Sequence, residues 1–222
     1  MAFTENDLER FQKNVLGPDD TFNFSCDMCG NCCRKRREPI LLTGFDIFRA
    51  AQTLGVAMEE VLDKYLAGYI GPDSHLPLYV LMERLDGSCR FLRKGKCLIH
   101  KSKPVVCALF PLGRMYDFRD SSFRYFLNAG SCHPGQGPGK TWTLEEWLAE
   151  FNIRETESMT LAWNKLITVL TKKTCRMREE DICSDLYEAL RRVMYLGYDT
   201  GLPYVDQVES RLDEAQNIFR KK

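Results

Sequence analysis

The sequence predicts an α+β protein, mostly helical with small irregular β structure, in which a metal-centred cysteine-rich domain precedes a helical C-terminal part. Three observations predict this class. Eight of the ten cysteines fall between Cys26 and Cys132. The apolar runs within that stretch are short, some of strand length and some of helical spacing. Beyond Lys140, apolar residues recur at helical intervals. The chain of 222 residues then reads as three segments: an N-terminal helix or arm over 1–20, a cysteine-cluster domain over 21–140, and a helical region over 141–222 packed on it.

Within the cysteine-rich segment, Thr43 followed by Asp46 marks a helix start, the threonine as N-cap and the acid near the positive helix end. Ile47, Phe48 and Ala51 give that helix an apolar face. A second helix is expected from about Ala57 through Leu66, with Val61, Leu62 and Tyr65 inward, until Gly71 and Pro72 break the pattern. Leu78 to Leu81 and Arg124 to Leu127 are strand candidates. Cys89 to Ile99 reads as a hairpin turning at Lys94 and Gly95, and Pro134 to Gly139 as a long loop. Further on, Thr143 and Glu146 form a capping-box pattern ahead of Leu144, Trp147, Leu148 and Phe151. Leu166, Ile167 and Leu170 make the next stripe, then Ile182, Leu186, Leu190 and Val193, then Val208, Leu212, Ala215 and Phe219.

Composition narrows the function classes. Lys+Arg and Asp+Glu balance at 31 each, which argues against a nucleic-acid binder that depends on phosphate neutralisation. The same balance leaves no polybasic case for a membrane surface, and no apolar run approaches the roughly 20 residues of a spanning helix. Glu5, Asp7, Glu9 and Arg10 stand where a secretory apolar core would lie. The chain is therefore expected in the cytoplasm, where closely spaced cysteines bind metal or do redox chemistry more often than they pair.

The cysteine spacing carries the chemistry. Cys26, Cys29, Cys32 and Cys33 form a C-x2-C-x2-C-C run. Two residues between thiolates let both converge on one metal as the backbone turns, and Gly30 suits such a turn because it takes positive φ without steric cost. Adjacent Cys32 and Cys33 diverge, so they suit two metals, or two corners of a multinuclear cluster, better than one ion. Further ligands are available downstream. Cys89 and Cys97 flank the hairpin turn at near-opposing positions, where Cβ atoms lie about 4.5–5.5 Å apart. Cys107 follows between Pro104 and Pro111, and Cys132 heads the Gly/Pro loop. Eight thiols match two four-thiolate sites or one larger cluster with spare ligands.

A four-thiolate zinc or iron–sulfur centre carries roughly two negative charges, which Arg34, Lys35, Arg36 and Arg37 could offset while lowering the thiol pKa values. Cys175 and Cys183 read as small buried hydrophobes, and His100 and His133 as ordinary core or surface histidines. Trp142, Trp147 and Trp163 read as core or interface.

At these residues the chain resembles the YkgJ-like cysteine-cluster family, the CxxCxxCC zinc- or iron-chelating domain, from about Phe24 to Gly139. The resemblance rests on the Cys26–Cys33 run with Gly30, on Leu42, Thr43, Asp46 and Ile47, and on Cys89, Phe91 and Leu92. It continues through Gly95, Cys97 and Ile99, then Pro104, Cys107, Phe110 and Pro111, and ends on Cys132, Pro134 and Gly135. Lys103 stands where members commonly have arginine before Pro104, Ala108 where arginine follows the cysteine, and His100 where tyrosine is common. The resemblance implies metal chelation by Cys26, Cys29, Cys32, Cys33, Cys89, Cys97, Cys107 and Cys132, holding an iron–sulfur cluster or zinc.

Three functions then compete: an iron–sulfur protein in electron transfer, sensing or a cluster-dependent reaction; a zinc-stabilised interaction module whose helical C-terminal region binds a protein partner; and a cluster-dependent enzyme such as a protein lysine methylase. The last follows from a flagellin lysine N-methylase in the family. The chain has no recognisable Gly-rich nucleotide loop and no radical-type C-x3-C-x2-C motif.

Overall fold

A computed structural model of the chain describes residues 14–26, 29–34, 39–117, 120, 122–127 and 139–219. In order, the described elements are β1 (Thr21–Asn23), α1 (Asn31–Arg34), β2 (Leu41–Leu42), α2 (Gly44–Leu54), α3 (Met58–Tyr65), β3 (Leu66–Ile70) and β4 (Pro77–Leu81). They continue with β5 (Leu92–Arg93), β6 (Lys96–Cys97), α4 (Val105–Leu109), β7 (Leu112–Asp117) and β8 (Ser122–Leu127). The last are β9 (Thr141–Thr143), α5 (Leu144–Glu150), α6 (Thr156–Thr174), α7 (Ser184–Tyr195) and α8 (Tyr204–Asn217). The class is α+β: among the described residues, helices with four small sheets of two or three strands. Among the described residues no helix is long and apolar enough to cross a membrane.

The chain divides into two compact units, each built from two separated stretches: residues 1–32 with 105–154, and residues 33–104 with 155–222.

In the first unit, β1 pairs antiparallel with β9, setting Phe22 opposite Trp142, and β7 pairs with β8 as a hairpin. The core gathers Phe22, Phe24, Leu109, Leu112, Tyr125, Trp147 and Leu148. Trp147 is its hub: its ring meets Phe24 edge-on at 5.3 Å, and its indole N–H donates to the Leu109 carbonyl at 2.9 Å. The Thr143–Glu146 capping box is present, each side chain bonded to the other's backbone N–H. The expected N-terminal helix over 1–20 falls largely outside the described residues. Its described end is not helical: Val15 bridges to Phe126 and the Leu16 N–H donates to the Tyr125 carbonyl. The Pro134–Gly139 loop also lies outside, apart from Gly139.

In the second unit, a three-stranded antiparallel sheet of order β2-β4-β3 carries Leu42, Leu66, Tyr79 and Leu81 buried on one face. Helix α2 starts at the expected N-cap Thr43, with which Asp46 closes a capping box, and stops at Gly55 in the left-handed conformation. Helix α3 buries Met58, Val61 and Leu62 and ends at Tyr65, where the chain turns directly into a strand rather than running helical through Leu66. Tyr195 crosses β4, its ring edge-on to Tyr79 at 4.9 Å and its hydroxyl donating to the Pro77 carbonyl. Gly44 opens α2 where a Cβ would stand 2.5 Å from the Trp163 ring and 2.8 Å from the Tyr204 hydroxyl, so only glycine allows that approach. Leu166, Leu170, Leu186, Leu190, Val193, Val208 and Ala215 are buried, as the helical stripes predict. Ile182 lies before α7 rather than in it.

Candidate metal centre

In the first unit, the stretch that leads into Cys26 is anchored on both sides. The Phe24 N–H donates to the Lys140 carbonyl at 3.0 Å, and the Lys140 N–H donates to the Ser25 hydroxyl at 3.0 Å. A Cβ at Gly139 would meet the Phe24 backbone at 3.0 Å, which explains glycine at the end of that loop. Phe24 also packs edge-on against Phe110 at 5.8 Å. The segment of Cys26 and the segment of Cys107, which sits in α4, are thus joined through aromatic rings two and three residues away. Cys26, Cys29 and Cys32 are exposed and Cys107 is half-buried. Gly30 has φ 72°, the left-handed turn its place between the cysteines requires.

The division between the units falls between Cys32 and Cys33. Both lie in α1, where successive side chains point about 100° apart around the helix, so the divergence read from their adjacency holds on a helix rather than a strand.

In the second unit, the Cys89 N–H donates to the Cys33 carbonyl at 2.7 Å. Two cysteine stretches distant in sequence are thereby bound backbone to backbone. Cys89 is buried and lies in a bridge with Glu83, just past β4. A turn fixes its approach: Asp86 accepts the Ser88 hydroxyl at 2.6 Å and the Ser88 N–H at 3.0 Å. These bonds hold the Asp86 carboxyl below the usual carboxylate range. On its other side the Leu92 N–H donates to the Cys89 carbonyl at 2.9 Å, and Phe91 is stacked on Tyr65. The orienting Asp86 and Ser88 were not singled out in the sequence, although Asp86, Gly87 and Ser88 form an ordinary turn signal.

The hairpin turns where expected, Lys94 and Gly95 both having positive φ, but its register places Cys97 opposite Leu92 and Arg93 opposite Lys96. Cys89 therefore does not oppose Cys97. A two-residue turn fixes the pairing outward from its flanking residues, and that counting runs past Cys89. His100, in a 3-10 turn, is held below its ordinary value by burial and by the charge of Lys103. Cys132, His133 and the basic residues Lys35, Arg36 and Arg37 lie outside the described residues.

Cys175 and Cys183 are exposed, contrary to the expected burial. They occupy the C-cap of α6 and the N-cap of α7, end positions that face solvent rather than the core.

Among the described residues, no three of His, Cys, Asp and Glu form a group able to hold an ion. The chemistry of the donors nonetheless fits the group: every sequence-predicted ligand is a thiol, and thiolates select zinc and iron–sulfur clusters alike.

Residues 25–132 match the family model CxxCxxCC, described as "putative zinc- or iron-chelating domain". Residues 25–132, just under half of the chain, are thus similar to the CxxCxxCC domain. The match takes in Cys26 through Cys132 and leaves out Cys175 and Cys183. An uncharacterized protein of Methanocaldococcus jannaschii, MJ0661, is 32% identical over 93 residues, covering 40% of this chain and 44% of that one. The chain thus spans less than half the length of the curated relative it matches. No solved structure is significantly similar to the chain.

Proposed function

We propose that the CxxCxxCC domain chelates iron as an iron–sulfur cluster through the thiolates of Cys26, Cys29, Cys32, Cys33, Cys89, Cys97, Cys107 and Cys132, and serves a redox or cluster-dependent reaction. The observation that carries the reading is the 2.7 Å bond from the Cys89 N–H to the Cys33 carbonyl, which makes neighbours of two ligand stretches far apart in sequence. Adjacent thiols diverging from one helical turn favour a multinuclear centre over a single ion.

One observation favours zinc instead. The β5–β6 ladder has two residue pairs and β2 is two residues long. So little regular structure around the cysteines is what a structural zinc site compensates.

Protein purified without oxygen tests both. A brown preparation with iron and acid-labile sulfide supports the cluster. A colourless one with stoichiometric zinc overturns it in favour of the structural site. A folded protein with neither metal overturns chelation itself.

A further inference from the structure

From Gly87 to Tyr116 the chain has no Asp or Glu and seven lysines and arginines, although the whole chain is balanced. Arg90, Arg93, Lys94, Lys96 and Lys101 are exposed. None of these five makes an ion pair with a described residue.

Charge compensation of the thiolates does not account for the turn. Paired residues of a ladder share a face, and successive pairs alternate. Leu92 and Cys97 form one pair, buried and half-buried; Arg93 and Lys96 form the next, both exposed. The cations of this pair therefore point away from the Cys97 side.

The turn also breaks two local rules. Arg93 and Lys96 are like charges directly opposite each other, a destabilising cross-strand pair. Lys94 has φ 48°, in the left-handed region that asparagine or glycine would occupy at less cost. Such departures are expected where function outweighs local stability.

The surface beside the turn is mixed. Leu98, next to Cys97, is 41% exposed. Phe91, the one aromatic ring of the hairpin, is buried, so no platform for stacking bases is present there.

We propose that the Arg93–Lys96 turn, with Arg90 and Leu98 on the same hairpin, is the docking surface for an acidic, partly apolar segment of a protein partner. This goes beyond metal chelation and does not depend on which metal is bound.

The test uses the full chain purified without oxygen and a short fluorescein-labelled peptide alternating glutamate and leucine, followed by anisotropy. The wild type is expected to bind, more weakly as salt rises. The R93S/K96S double variant is expected to lose about tenfold or more in affinity, with an unchanged or higher melting temperature because a repulsive pair is gone. K172S/K173S, on exposed α6 residues, is expected to bind as the wild type does. Absence of binding, equal binding by R93S/K96S, equal loss in K172S/K173S, or tighter binding of an oligothymidylate than of the peptide each overturns the proposal. If R93S/K96S melts lower, Lys94→Gly replaces it: this variant relaxes the backbone while removing one cation, and its undiminished binding likewise overturns the proposal.

Discussion

The ring of Tyr65 lies flat on that of Phe91, 4.3 Å between centroids and 9° between planes. Tyr65 ends α3 and Phe91 stands two residues after Cys89, so the stack ties a cysteine-bearing turn to the helical core. Phe91 is 1% exposed. Phe91→Ala is expected to cost about 3–5 kcal/mol, read by chemical denaturation, and to lower metal content in parallel. Tyr65→Phe keeps the stack and should change neither; metal loss in that variant would show that the ring contact is not what matters.

Cys33→Ser and Cys89→Ser should each strip metal from the purified protein, as should Cys29→Ser and Cys97→Ser. Cys175→Ser and Cys183→Ser, at exposed helix ends, should retain it. Metal analysis of the six variants decides the ligand set, and loss in Cys175→Ser alone would show that set to be wrong.

At Gly44 the constraint is steric. A methyl group there would enter the Trp163 ring, and overpacking of this kind costs about 1–3 kcal/mol. Gly44→Ala should lower the unfolding free energy by that amount, shifting the denaturation midpoint down, with Trp163 fluorescence altered in the folded state. An unchanged midpoint would mean that the α2–α6 approach is looser than described.

Glu146 gives a pH signature. Bonds from the Thr143 N–H and hydroxyl hold its carboxyl below the usual range in the folded chain. The folded state therefore favours the charged form. Its contribution is complete above the ordinary glutamate value of about 4.3 and is lost as pH falls through the lowered folded value. Glu146→Gln should flatten that part of the stability profile while leaving the profile above it parallel to the wild type.

What the sequence revealed was local. The Thr143–Glu146 capping box and the helix start at Thr43 and Asp46 could be read because cap and acid are three residues apart. The Lys94–Gly95 turn and the left-handed Gly30 were legible for the same reason. The short pairing of β1 with β9 was not, because nothing in Thr21–Asn23 identifies Thr141–Thr143 as its mate. The bond from Cys89 to Cys33 was equally invisible: the spacing named both residues as ligands, while only the folded chain makes them neighbours. The misplacement of Cys97 opposite Cys89 had a different origin. The turn lies where expected, but the pairing it dictates runs outward from Arg93 and Lys96 and passes Cys89 by.

The interleaving of the two units bears on how the chain is made. Trp142 donates to the Phe24 carbonyl across 118 residues, and Tyr195 donates to the Pro77 carbonyl across another 118. During synthesis, the first aromatic cluster must wait for Trp147 to leave the ribosome, and the sheet of β2, β3 and β4 must wait for α7. Neither unit can close until both of its stretches have been made, so the nascent chain carries Cys26 through Cys107 uncovered through much of its synthesis.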